Sequence, residues 1–77
     1  MTLAQGQKNG AYQVKSMHLP MMTTVRLQAL GLTGGTIIHV LNRKNGSTIL
    51  KVRGTRLAVG KQIAENICVD MLEDGES

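Results

Sequence analysis

Alternation of apolar and polar residues along the chain predicts a mainly β fold. In residues 11–17 (AYQVKSM), Tyr12, Val14 and Ser16 fall on one face and the residues between them on the other. A period of two is typical of a half-buried strand. Pro20 follows and cannot donate to a strand ladder, so we expect this strand to end before it.

The later segments carry further strand patterns. Residues 36–43 (TIIHVLNR) are rich in β-branched residues and apolar on both faces, as in a strand within a small barrel. Residues 47–53 alternate, and we expect Thr48, Leu50 and Val52 to point inward. Two shorter segments also predict strands, residues 55–59 and 67–71.

A single longer helix is predicted between the first two strands, over about residues 24–30. Thr23 or Thr24 suits an N-cap, and Met22, Val25 and Ala29 recur at helical spacing. Isolated helices shorter than roughly 12 residues are marginal in water. We therefore expect this helix to be held by packing on the sheet.

Glycines lie where the predicted elements must turn. Gly31 follows the helix as the expected C′ residue, because a residue without Cβ enters the left-handed region at low cost. Asn45-Gly46 separates two strand patterns and is a strong hairpin signal. The full set of predicted turn positions is Gly31, Gly34, Gly35, Gly46 and Gly54, with positive φ expected at Gly34 and Gly35.

Five short strands with one brief helix after the first predict a small closed or nearly closed β-barrel. A further helical turn is expected at residues 61–66, before the last strand. We predict a flexible N-terminal arm at 1–10 with Leu3 packing on the barrel, a domain at 11–71, and an acidic C-terminal tail at 72–77.

Composition points to a cytoplasmic setting. The chain has 77 residues, enough for one small domain. Cys68 is the sole cysteine and cannot form an internal disulfide, which favours a reducing compartment. No apolar run approaches the roughly 20 residues needed to cross a bilayer, so we expect a protein that does not itself span a membrane.

Charge is distributed unevenly. Residues 1–69 hold all nine Lys and Arg against one acidic residue, Glu65, which leaves this part with a formal charge of +8. The other acidic residues fall in the last eight positions. This pattern fits a solvated basic surface. It also suits an acidic partner, an anionic membrane surface or nucleic acid, for which the acidic tail would compete.

The residues do not form a recognisable catalytic motif, and we predict that the protein is not an enzyme. His39 alternates with apolar residues, which favours a packed or rim position, and Cys68 lies between two apolar residues, which favours a buried thiol. Metal sites draw on several His, Cys or carboxylate ligands. We predict no certain cofactor and leave Fe(II) or another divalent transition metal open, with weak candidate ligands at His18, His39 and Cys68.

Three methionines, Met17, Met21 and Met22, surround the start of the predicted helix. We expect them to fill gaps in the core beneath the helix. The alternative is an adaptable apolar surface for a partner or for a second copy of the chain.

Nucleic-acid binding is disfavoured because base-stacking platforms need exposed aromatic rings, and Tyr12 is the sole aromatic residue. Weak, salt-dependent phosphate contact stays open. It would use five basic residues, Arg43, Lys44, Lys51, Arg53 and Arg56. The stretch GLTGGT lacks the lysine and the spacing of a P-loop.

A set of basic, apolar and glycine positions from about Tyr12 to Asp70 resembles the ferrous iron transport protein A family, the FeoA domain. The positions are Arg26, Leu27, Leu30-Gly31-Leu32, Gly35, Val52-Arg53-Gly54, Arg56-Leu57-Ala58-Val59, and Ile67 before Val69. The chain departs from the common pattern at Gly34, where many members have proline, and at Lys44-Asn45-Gly46, where many have a longer loop.

The resemblance implies an SH3-like β-barrel and a small cytosolic protein that assists or regulates the membrane ferrous iron transporter, whose cytosolic part is a GTPase. We predict docking through the helix and nearby basic residues, namely Met22, Arg26, Leu27, Leu30, Arg53 and Arg56. Two alternatives stay open: an iron-responsive, transcription-linked module like the C-terminal domain of iron-dependent repressors, and a basic barrel with weak nucleic-acid binding. A homo-oligomer is also left open.

Overall fold

The computed structural model describes residues 1–72, so the predicted acidic tail beyond Leu72 lies outside the described residues. A 3₁₀ helix, Leu3–Gln5, precedes the first strand. The strands are β1 (Ala11–Met17), β2 (Ile37–Lys44), β3 (Ser47–Val52), β4 (Thr55–Val59) and β5 (Ile67–Met71). The helices are α1 (Met21–Ala29), between β1 and β2, and α2 (Lys61–Glu65), between β4 and β5.

The five strands form one antiparallel sheet in the order β4-β3-β2-β1-β5. The register shifts between Val14 and Ser16 in β1 and between Val40 and Asn42 in β2. Such bulges bend a strand and increase its twist, which lets a short sheet curve around its own core. The mainly β architecture predicted from the sequence is confirmed.

The core is almost entirely aliphatic and lies on the inner face of the curved sheet. On β3 the alternate residues Thr48, Leu50 and Val52 are buried, as the pattern predicts. Other strands contribute Val14, Ile38, Val40, Val59, Ile67 and Val69, and Tyr12 is the aromatic member.

Two tight turns connect β2, β3 and β4. Asn45 and Gly46 have φ of 54° and 82° and make the first turn, at the predicted hairpin. Arg53 and Gly54 have φ of 51° and 80° and make the second. Two central residues with positive φ are the signature of a type I′ turn. Arg53, predicted at the end of a strand, therefore lies in this turn instead.

The first ten residues, predicted as a flexible arm, pack against the sheet in this structure. Leu3 is fully buried, and the Val69 amide donates to the carbonyl of Met1 over 2.8 Å. The Arg43 side chain donates through Nη2 to the carbonyls of Ala4, at 2.7 Å, and Gly6. These carbonyls have no hydrogen-bond partner in the strands, so the bonds from Arg43 hold the N-terminal segment against the sheet.

Replacing Arg43 with alanine should release this segment. We expect a loss of about 1–2 kcal/mol in the free energy of unfolding, because hydrogen bonds from a charged donor are lost. Urea denaturation would measure the loss, and limited proteolysis should cut first within residues 1–10. Lys44→Ala is the matched control, since Lys44 is exposed and makes no side-chain hydrogen bond within the described residues. Equal stability of the two variants would contradict the role of Arg43.

Candidate interaction surface

Helix α1 starts earlier than the sequence predicted, at Met21 instead of about residue 24. Pro20 occupies the N-cap position, and the Thr24 amide donates to the Pro20 carbonyl over 2.9 Å as the first helical bond. Proline is tolerated at a helix start because the first amides have no partner within the helix. Thr24 is thus inside the helix, where its hydroxyl donates to the Leu19 carbonyl over 3.3 Å.

Only one side chain of α1, Leu27, is buried, with 6% of its surface exposed. Leu27 belongs to the docking surface predicted from the sequence, but in the structure its side chain faces the core and attaches the helix to the sheet. The expectation that the methionines fill the core is also corrected: Met21 and Met22 are 80% and 78% exposed. Met17 alone is half-buried against the core.

The large exposed side chains of α1, together with its C-cap residue Leu30, form a mostly apolar surface. It consists of Met21, Met22, Val25, Arg26 and Leu30, and we call it the α1 surface. Met22, Arg26 and Leu30 follow one another at spacings of four, so they line one side of the helix. Large apolar groups of this kind are costly to leave in water and mark sites of interaction when they are contiguous.

The end of α1 is fixed by a Schellman motif. The Gly31 amide donates to Gln28 and the Leu32 amide to Leu27, both over 3.0 Å, and φ at Gly31 is 106°. Leu32 is fully buried and anchors the chain after the helix. Gly35 has positive φ (88°) but Gly34 does not, so a single glycine makes the following reversal.

Arg53 lies against the end of α1. A Cβ built on Gly31 would stand 3.3 Å from Cδ and 3.8 Å from Nε of Arg53. The turn between β3 and β4 therefore meets the C-terminal end of the helix, where free carbonyls favour a cation. Arg53 is exposed and extends the α1 surface with positive charge.

Arg56 lies instead on the outer face of the sheet. It pairs with Lys51 across β3 and β4, and Lys51 pairs with His39 across β3 and β2. All three are exposed and share one face, because directly paired residues of neighbouring strands point the same way. We call His39, Lys51 and Arg56 the basic row.

The three weak metal candidates are not gathered into a site. The His18 Nε2 lies 3.3 Å from the hydroxyl of Ser16, and Cys68 is the cross-strand partner of Ser16 on β5, whereas His39 is on the outer face of β2. Within residues 1–72 no three His, Cys, Asp or Glu residues are grouped closely enough to hold a metal ion.

Tyr12 is 1% exposed and accepts a hydrogen bond from the Gln7 amide at 2.6 Å. It is therefore unable to stack on a base. Arg43 is engaged by the N-terminal carbonyls. Five basic residues are candidates for phosphate contact. Four of them are exposed and form no salt bridge within the described part of the chain, namely Lys44, Lys51, Arg53 and Arg56.

Acidic residues are scarce around these cations. The one salt bridge among residues 1–72 joins Lys15 and Asp70 at 3.4 Å, between two exposed side chains. Arg26, Arg53 and Arg56 thus have no ionic partner in the described chain. None of the helices in residues 1–72 has the length and apolar character needed to cross a bilayer.

The sequence patterns did not reveal the basic row or the turn position of Arg53. If Arg53 and Gly54 are taken as a two-residue turn, Lys51 pairs with Arg56, so this pair could have been predicted from the sequence. The pairing of His39 with Lys51 could not have been predicted, because the register shift between Val40 and Asn42 moves the partner of His39 by one residue.

Known proteins share both this fold and part of this sequence. The family model described as the FeoA domain matches residues 1–71. A protein of Methanocaldococcus jannaschii, whose name assigns it provisionally to Fe(2+) transport protein A, is 32% identical over 50 residues. The match covers 65% of this chain and 61% of that relative, so the chain spans less than two thirds of its length.

Solved structures agree. The solution structure of the FeoA protein from Chlorobium tepidum has a TM-score of 0.90 at 25% identity, over 99% of this chain and 76% of the other. The crystal structure of an iron uptake regulatory protein, also FeoA, has a TM-score of 0.84 at 27% identity, over 94% of this chain and 97% of the other. The resemblance and the SH3-like barrel predicted from the sequence are confirmed.

Proposed function

The chain belongs to the FeoA domain family, which is associated with Fe(2+) transport, and we propose that it is an accessory protein of ferrous iron uptake. It acts by docking onto the cytosolic part of a membrane iron transporter. The observation that carries the proposal is α1, a helix attached through one buried side chain, with its remaining apolar residues exposed.

The α1 surface offers the two components that protein interfaces combine. Met21, Met22 and Val25 supply apolar area, and covering each would contribute about 1–2 kcal/mol. Methionine side chains adapt to the shape of a partner because they are unbranched and polarizable. Arg26 lies among them without an ionic partner in residues 1–72, so an acidic group on the transporter would complete the contact.

Arg53 enlarges this surface at the end of the helix, where its stem lies on Gly31. The turn fixes the backbone of Arg53, so its side chain leaves the sheet beside the end of α1. The transporter contact therefore extends from Met22 along α1 to the turn between β3 and β4.

A pull-down with the detergent-solubilised transporter tests the proposal. We expect the wild-type protein to be captured and Arg26→Glu to be captured at least about tenfold less well, because a central cation becomes an anion. Lys61→Glu is the matched control: it makes the same charge change at an exposed position on α2. Circular dichroism should show both variants folded, since neither side chain is buried.

Two results would contradict docking through α1. The first is failure of the wild type to bind. The second is equal loss of binding in Lys61→Glu, which would indicate general electrostatic attraction. Dimerisation on addition of Fe(II), without transporter binding, would favour the iron-responsive alternative.

A further inference from the structure

The two edges of the sheet differ in how they are covered. The outer edge of β5 is partly occupied, because Thr2 bridges to Cys68 and the Val69 amide donates to the Met1 carbonyl. Strand β4 is the other edge and pairs with β3 alone among the described residues. An unpaired edge is a template for another strand.

The turn at Arg53 and Gly54 determines which backbone groups of β4 are free. In a two-residue type I′ hairpin the residues flanking the turn, here Val52 and Thr55, exchange hydrogen bonds. The next pair, Lys51 and Arg56, does not. The amide and carbonyl of Arg56 therefore point away from β3, and so do those of Ala58, two residues on.

No partner for these groups is present in residues 1–72. Arg56 and Ala58 take part in none of the hydrogen bonds formed outside the strand ladders. Both residues are exposed, as is Thr55 at the start of the strand. The β4 edge thus presents two donors and two acceptors at the spacing of an extended chain.

The basic row begins at the β4 edge, and its charge determines which strands can pair with this edge. Arg56 is on β4 itself, and Lys51 and His39 follow on the next two strands at intervals of about 4.8 Å. Pairing with the β4 edge of a second copy would bring two Arg56 side chains close together, which disfavours a dimer of this kind. A strand carrying carboxylates is favoured, because opposite charges on paired strands attract.

We propose that the β4 edge binds an extended acidic segment of a partner protein as a sixth strand of the sheet. Partner residues opposite Arg56 and Ala58 both exchange hydrogen bonds with β4 and point their side chains to the face of the basic row. Acidic residues at alternate positions fit this arrangement. The residues between them face the side of Leu57, which is half-buried, so uncharged side chains suit those positions.

Strand addition at the β4 edge is separate from docking through α1 and can be tested without a transporter. The probe is a capped nine-residue peptide in which glutamate alternates with threonine, titrated into the ¹⁵N-labelled protein. We expect the amide signals of Arg56 and Ala58 to shift with peptide concentration and their hydrogen exchange to slow. The α1 amides should be unaffected.

Two protein variants separate backbone pairing from charge. Ala58→Pro removes one edge donor without removing a ladder bond, because this amide points away from β3, and it should weaken binding at least about tenfold. Arg56→Gln keeps the backbone and should weaken binding about fivefold. Ala58→Val, which retains the amide, is the control and should bind like the wild type.

A second peptide keeps the test independent of any variant that fails to fold. Methylating the backbone nitrogens of the glutamates preserves the charge and removes the donors that would face β4. Loss of binding by this peptide to the wild-type protein supports strand addition. Equal binding by the methylated peptide would show an unspecific anion surface and overturn the proposal, as would the absence of any shift at Arg56 and Ala58.

Discussion

Gly31→Val should lower the free energy of unfolding by about 2 kcal/mol or more, a large share of the roughly 5–15 kcal/mol available to a small domain. At φ of 106° a β-branched residue is strained, which costs about 1–2 kcal/mol or more. The added side chain would also meet Arg53 Cδ, 3.3 Å from the position of the new Cβ. Arg53 is exposed and its side chain can shift by the few tenths of an ångström required, so the backbone strain accounts for most of the loss.

Thermal and urea denaturation would measure this loss, with Gly34→Ala as the control. Gly34 lies three residues away, has no positive φ, and a Cβ there would stand 3.7 Å from the Lys15 carbonyl, an ordinary contact. We expect Gly34→Ala to change stability by less than about 0.5 kcal/mol. If Gly31→Val were as stable as Gly34→Ala, the Schellman motif would have no structural importance.

Leu27→Ala should detach α1 while leaving the sheet folded. Truncating a buried leucine costs about 2–5 kcal/mol, and here the loss falls on a helix with no other buried side chain. A helix of nine residues is too short to persist without packing. We expect the amides of α1 to lose protection from hydrogen exchange and those of β2 and β3 to keep it.

The control for this variant is Leu30→Ala. Leu30 is the same residue type three positions later but is 46% exposed, so stability should change by less than about 0.5 kcal/mol. Docking onto the transporter should nevertheless weaken, because Leu30 belongs to the α1 surface. Uniform loss of protection throughout the sheet in Leu27→Ala would contradict a local role.

The strands could be predicted because their apolar residues alternate against a single core. The bounds of β1 and β4 agree with the sequence pattern, and the hairpin at Asn45-Gly46 is in place. The hairpin at Arg53-Gly54 is hard to recognise from the sequence, because a type I′ turn needs two residues with positive φ and arginine rarely adopts positive φ. Arg53 therefore resembled a strand residue in the sequence.

The candidate site was harder to predict because periodicity identifies apolar residues without indicating which are covered. Met22, Leu27 and Leu30 carry similar signals in the sequence, yet Leu27 alone reaches the core. The start of α1 was also missed, since Thr23 and Thr24 are better N-caps by preference than Pro20. Tertiary packing determines both which residues of α1 are buried and where the helix starts, and the periodicity of the sequence does not report tertiary packing.

The unequal covering of the two sheet edges also limits self-assembly. Open polymers grow when one surface of a subunit fits a different surface of the next, so that each addition regenerates a free site. Here the Met1 and Thr2 backbone occupies part of the β5 edge, while β4 is open in the described chain and carries Arg56. Because the β5 edge is already partly paired, it accepts the β4 edge of a second copy less readily, and fibre growth through edge pairing is disfavoured.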